Sequence, residues 1–314
     1  MTQRSTVLSL GEVLIDMIVS DGSPTLEDAG EFVARPGGAP ANVAVALRRL
    51  GVPSAFCGAV GDDPFGSRLR LVLHADNVDT GNLKVVPGES TTLAFAWKNE
   101  RGDGQFRLVR LADILLSEHD VEQAAIASRA AIIVGSVALT ESPSRDAIYR
   151  AVALASEAGV PVCFDVNIRP TLWESAAQAR ETCQPVLDRT TILKLSVDDA
   201  DLLFGLRDPE QIFAAQVGSD AVRLLTDGAR GAWFRNDRGE VEHVPAFPIE
   251  SVEPTGAGDA FTAAVVSRYL SSQRAPSRPD IEFASAAGAI TATRIGAIES
   301  LPTLAEIDQF LSSK

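Results

Sequence analysis

Glu253-Pro254-Thr255-Gly256-Ala257-Gly258-Asp259-Ala260-Phe261 sets two glycines and a carboxylate directly before an apolar run, Asp259–Leu270, that reads as a helix. Glycine lets the backbone approach a ligand closely, and the first N–H groups of a helix point outward at the positive end of its dipole. The loop therefore suits an anion. Asp259 stands where a carboxylate beside a bound phosphate can take a proton from a hydroxyl. An ordinary glycine-rich turn with an N-capping Asp accounts for the same residues without a ligand. No G-x-x-x-x-G-K-[ST] occurs, and no G-x-G-x-x-G follows the first strand, so neither a P-loop nor a dinucleotide fold is supported.

Outward from this loop, strand-like and helix-like apolar runs alternate. Val7–Leu10, Ala55–Val60, Ala131–Val134, Val160–Phe164, Thr191–Leu195, Val222–Thr226 and Ala232–Phe234 read as strands. Asn42–Leu50, Phe65–Ala75, Ser144–Ala158, Asp259–Leu270 and Ile281–Arg294 read as helices. Continuous apolar strands between helices predict an α/β fold, a doubly wound parallel sheet flanked by helices on both faces. Asp21–Ala34 and Thr91–Leu111 break the rhythm. The second alternates around Phe95, Trp97, Phe106 and Leu108, with a Gly102-Asp103-Gly104 turn, as a β-hairpin does. The two segments, about 17–35 and 91–111, are expected to form a small β-sheet lid on one domain spanning 1–314. A second glycine loop, Pro36-Gly37-Gly38-Ala39-Pro40-Ala41-Asn42, precedes the first long helix. It admits a polyol close to the backbone, and Asn42 offers it a donor and an acceptor. A helix-capping turn is the plain alternative.

Composition limits the partners. With 28 basic and 42 acidic residues the net charge is −14, and no basic run offers a nucleic-acid surface. No run of 18 apolar residues predicts a membrane span. Met1–Val19 carries Glu12 and Asp16 within its apolar stretch, unlike a secretory signal. Cys57, Cys163 and Cys183 sit apart in apolar segments and read as buried thiols of a reducing, cytoplasmic compartment. None of the three histidines has a partner at zinc-ligand spacing.

The G-G-x-x-x-N and T-G-A-G-D-A-F blocks together resemble the paired signatures of the ribokinase (pfkB-type) carbohydrate kinase family. Gly11–Asp16, Val60–Gly66, Thr226–Gly231 and Gly288–Pro302 extend the likeness along nearly the whole chain. The resemblance implies ATP-dependent phosphorylation of a sugar bound between lid and sheet. It implies that Asp259 is the base, that the N–H groups of Gly256, Ala257 and Gly258 form the anion hole, and that Arg169 holds a phosphate oxygen or substrate anion. Asp16, at the end of the first strand, would contact the sugar together with Gly37, Gly38 and Asn42. Lys194, Ser196, Thr226, Gly228, Gly231, Gly258 and Ser285 would surround ATP. Asp199 would orient Mg²⁺ through water. Glu253, Thr255, Thr291, Arg294, Gly296 and Ser300 match the positions that hold K⁺ in many relatives. Asp199 stands for the usual Glu, Glu253 for the usual Asp, and Asp227 for an apolar residue. Pairing of two lids in a homodimer is a further implication.

Gly37-Gly38-Ala39-Pro40-Ala41-Asn42 and Gly11–Asp16 resemble the fructokinase forms, implying D-fructose as acceptor and fructose 6-phosphate as product. Asp165–Trp173 matches a D-x-N-x-R-x-x-L-W block shared with 2-keto-3-deoxygluconate kinases. That alternative needs extra cations, which Arg107 and Arg110 of the hairpin offer. A catalytically silent sugar sensor is a third reading, opposed by the intact Gly256-Ala257-Gly258-Asp259.

Overall fold

The computed structural model describes residues 5–101, 104–215 and 221–313; the predicted Gly102–Asp103 turn lies outside them. Nine strands form the large sheet, in the spatial order Val241–Val244, Ala232–Arg235, Val222–Thr226, Ile192–Ser196, Val162–Asp165, Ala131–Gly135, Val7–Leu10, Ser54–Gly61, Asp79–Val86. Pairing is parallel from Val222–Thr226 to Asp79–Val86. Ala232–Arg235 pairs antiparallel with both Val222–Thr226 and Val241–Val244, which departs from the expected all-parallel sheet. The turn Gly228–Arg230 is too short for a helical crossover, so the chain folds straight back.

The sheet's side chains alternate between two cores. Val7, Ala131 and Ile133 face the helices Ala39–Arg49, Ala257–Ser272 and Arg278–Ala292. Leu8, Leu10, Ile132 and Val134 face Ser144–Glu157 and Ala176–Leu187. Burial on both faces is why these strands read as unbroken apolar runs. The chain reverses its winding at Val7–Leu10, which has Ser54–Gly61 on one side and Ala131–Gly135 on the other. Beyond the carboxyl ends of strands at such a switch point the loops part and leave a crevice.

Four strands form the small sheet, ordered Phe32–Gly37, Leu14–Val19, Leu93–Lys98, Gly104–Val109. Leu14–Val19 pairs parallel to Leu93–Lys98 and antiparallel to Phe32–Gly37. The sheet thus begins earlier than expected, and most of Asp21–Ala34 is a connection between two of its strands. Asp16 belongs to this small sheet and not to the end of the first strand. Met17, Ala34 and Leu93 anchor one face to the core. The opposite face carries Asp16, Ala94, Phe106 and Leu108 to the crevice.

Candidate active site

Two cavities meet at the loop Glu253–Asp259. One, of about 300 Å³, is lined by Glu12, Leu14, Asp16, Gly38, Asn42, Ala94, Phe106, Leu108, Asn167, Arg169, Lys194, Thr255, Gly256 and Asp259, among others. The other, of about 570 Å³, is lined by Thr226, Gly228, Gly231, Phe247, Ile249, Ala257, Phe261, Ser285 and Ala289, among others. Pro254 and Gly258 line both. One cavity is rich in carboxylates and amides, and its neighbour is mostly apolar.

Gly256 caps the helix Ala257–Ser272 at φ 84°, and its side-chain position lies 3.2 Å from the Ala297 Cα. A Cβ there would be strained and crowded by backbone. Asp259 is the third residue of that helix, not its cap. Its carboxylate accepts from Asn42 Nδ2 at 2.7 Å instead of from the helix backbone, which removes the plain capping explanation. Burial, followed by repulsion from Asp165, pushes the Asp259 carboxyl up to about 6. Ala257 N–H already donates to Pro254 O at 3.1 Å. Of the three expected anion-hole donors, Gly256 and Gly258 keep their N–H groups unpartnered among the described residues.

Asn42 sits in the first turn of Ala39–Arg49, whose N-cap is Gly38 at φ 104°. A Cβ on Gly38 would lie 2.6 Å from the Glu12 carbonyl oxygen, so only glycine lets this loop close on the chain beside Glu12. Gly37 lies behind the cavity wall, against the Asp16 carboxylate. Burial pushes Asp16 up to about 7, with the Arg169 guanidinium opposing it. Arg169 donates to Asn167 Oδ1 at 2.6 Å and lies 5.6 Å over the Phe106 ring. It thereby touches the small sheet while lining the cavity.

Several expected positions come out elsewhere. Lys194 is buried on the first cavity, not on the second, which Thr226, Gly228, Gly231 and Ser285 line. It pairs with Asp165 at 3.0 Å, and Asp165 also accepts from Thr262 Oγ1 at 2.6 Å. Burial opposes the Lys194 charge, but Asp165 and Asp199 outweigh it and hold its pKa above the ordinary lysine value. Ser196 faces neither cavity; it caps the helix Val197–Phe204. Asp199 closes that capping box with one oxygen, accepting from Ser196 N–H at 2.7 Å, and takes Ile168 N–H at 2.8 Å with the other. One oxygen holds the loop that carries Asn167 and Arg169, and the other caps the helix Val197–Phe204, so both are spent on backbone N–H groups. Arg107 alternates with Phe106 and Leu108 along its strand, so it lies on the face away from the cavity and is exposed. Arg110 is buried beside Asp113 at 2.6 Å and donates to Val137 O and Thr140 Oγ1. Neither arginine lines the cavity, because one is on the wrong face and the other is fully engaged.

Thr226, Gly228, Gly231 and Ser285 all line the second cavity. Asp227, unexplained by sequence, pairs with Arg230 at 2.6 Å and braces the turn between the antiparallel strands. Glu253 Oε2 accepts from Gly296 N–H at 3.0 Å and Glu253 N–H donates to Ala292 O at 3.2 Å, so the two segments meet beside the Gly256 loop, with Ser300 buried. A carboxylate, carbonyls and a hydroxyl form a hard-oxygen set that suits an alkali cation. Glu12, Asn167, Asp165 and Thr262 were not singled out from sequence. Asp165 and Asn167 open the D-x-N-x-R block, and Glu12 lies in the GEVLID run, but nothing in either spacing tells which side chains turn inward.

A phosphate-accepting loop, a carboxylate of raised pKa beside it, a polar cavity on one side and an apolar one on the other define a kinase acting on a hydroxyl compound. The chain matches the pfkB family carbohydrate kinase profile over residues 4–304, and it belongs to that family. It is 38% identical to fructokinase-1 of Oryza sativa subsp. japonica over 98% of each chain. Among solved structures it resembles a putative ribokinase II from E. coli in complex with ATP and Mg²⁺, at TM-score 0.87 and 29% identity, covering 99% of this chain and 100% of that one. It also resembles a double mutant of the fructokinase from Vibrio cholerae O395 bound to fructose, ADP and potassium ion, at TM-score 0.84 and 30% identity, covering 98% of each.

Proposed function

We propose that this chain transfers the γ-phosphate of MgATP to the primary 6-hydroxyl of D-fructose. The observation that carries the reading is Asp259: a buried carboxylate, held by Asn42 at the junction of the two cavities. ATP lies in the apolar cavity between Thr226, Gly228, Gly231 and Ser285, with its phosphates at Gly256 and Gly258. Fructose lies in the polar cavity against Asp16, Gly38 and Asn42. Asp259 takes the hydroxyl proton, the oxygen attacks the γ-phosphorus as its bond to the bridging β,γ-oxygen breaks and ADP leaves, and the loop N–H groups and Arg169 stabilise charge on the transferring group. Lys194, held by Asp165, keeps a fixed positive charge beside Asp259. Mg²⁺ arrives with the nucleotide, and K⁺ fits the oxygen set of Glu253, Thr255, Thr291, Arg294, Gly296 and Ser300.

A neutral sugar suits this cavity better than a sugar acid. Three carboxylates, Glu12, Asp16 and Asp259, line it. Lys194 is committed to Asp165, leaving Arg169 to answer an incoming carboxylate. The small sheet serves as a lid, and its apolar Val33 and Phe106, 41% and 38% exposed, offer a face to a second copy. Among the described residues no helix is long and apolar enough to cross a membrane, and three buried free cysteines fit a reducing cytoplasm. The test is product analysis: with ATP, Mg²⁺ and D-fructose the protein should yield ADP and fructose 6-phosphate in equal amounts. ADP release without sugar phosphate, or no turnover of any sugar, would remove the reading.

A further inference from the structure

Glu12 is 4% exposed, lines the polar cavity, and leaves its Oε2 without a hydrogen-bond partner. An unpaired acceptor of this kind is costly in an unliganded wall and is satisfied when a donor arrives. Asn42 repeats the pattern. Its Nδ2 is spent on Asp259, while its Oδ1 is buried and unpaired on the same cavity. The two acceptors are linked through Gly38, which caps the Asn42 helix and packs against the Glu12 backbone. Burial, the largest influence on Glu12, pushes its carboxyl up to about 7, with Arg110 and Arg169 opposing the rise and Asp113 adding to it.

We propose that Glu12 is a sugar-binding, specificity-determining residue: its carboxylate receives a hydroxyl of the acceptor away from the reacting one, with Asn42 Oδ1 accepting beside it. Sugar hydroxyls are donors, so a wall of unpaired acceptors selects a polyol and penalises any analogue that lacks or inverts the matched hydroxyl. This rests on the sugar-kinase reading above. The competing role is structural: Glu12 would serve only to hold in place Arg110, which pairs with Asp113 at 2.6 Å.

Steady-state kinetics on Glu12→Gln separate the two, with D-fructose and its epimers L-sorbose, D-tagatose and D-psicose as acceptors. Glu12→Asp, which keeps the charge but withdraws it by a methylene, serves if the first variant does not fold. The expected result is a ~10- to 100-fold rise in KM for fructose, kcat within about threefold, an unchanged KM for ATP, and loss of discrimination against one epimer. An equal fall for all four sugars, or an unchanged fructose KM, overturns the proposal. Wild-type protein that turns over none of the sugars counts against the kinase reading instead, so the two failures are distinct.

Discussion

Burial and Asp165 push the Asp259 carboxyl up to about 6, and burial pushes Asp16 up to about 7. Their folded pKa values are raised, so the basic forms that accept hydroxyl protons accumulate as pH rises. kcat/KM for the sugar should therefore climb between about pH 6 and 7 and then level. A profile flat from pH 5 to 8 would contradict these assignments. Asp259→Asn keeps the loop and the Asn42 contact site but removes the base. kcat should fall by about 10²–10⁴, while ATP binding measured by calorimetry persists. Arg110 makes a different point. Its removal would leave Asp113, 2% exposed, without its cation inside the protein. Breaking a buried pair this way costs about 3–5 kcal/mol, so Arg110→Ala should show a clearly lowered urea midpoint. An unchanged midpoint would mean that the pair is not holding the strand end to Val137 and Thr140.

The glycine loops were legible as elements because their physics is local: Gly-x-Gly before an apolar helix requires close backbone approach wherever the helix packs. Val7–Leu10 and Val222–Thr226 read correctly to the residue; the first is buried throughout, and the second is marked by its apolar Leu224 and Leu225 before the Gly228 turn. Asp79–Val86 and Val241–Val244 did not stand out. They lie at the sheet's two edges, half-exposed, with mixed composition. Arg107 was misplaced for a related reason, whereas Arg110, past the strand end, is taken up by Asp113, Val137 O and Thr140 Oγ1. Alternation gives two faces, but only the packing of Met17, Ala34 and Leu93 decides which face looks inward. The small sheet touches the polar cavity through Asp16, Ala94, Phe106 and Leu108, so sugar bound there should damp its local opening. Hydrogen exchange in Leu93–Lys98 should slow with saturating fructose more than in Ala131–Gly135. Equal exchange in both conditions would leave a static sheet rather than a closing lid.

At the scale of the molecule, the doubly wound sheet collects its site from distant sequence. Glu12, Asn42, Arg169, Lys194 and Asp259 come together beyond the strand ends, and only the strand order makes them neighbours. Sequence motifs marked most of these residues, whereas the pairing of Lys194 with Asp165 and the locking of Asp199 into a capping box depend on three-dimensional packing. Those same contacts decide the substrate class, because they leave Arg169 facing three carboxylates. The direct measurement is kcat/KM for D-fructose against 2-keto-3-deoxygluconate, by ADP release with MgATP. The account expects fructose to be preferred by at least about 100-fold, the scale of leaving one charged contact unmatched. A higher kcat/KM for the sugar acid would contradict it.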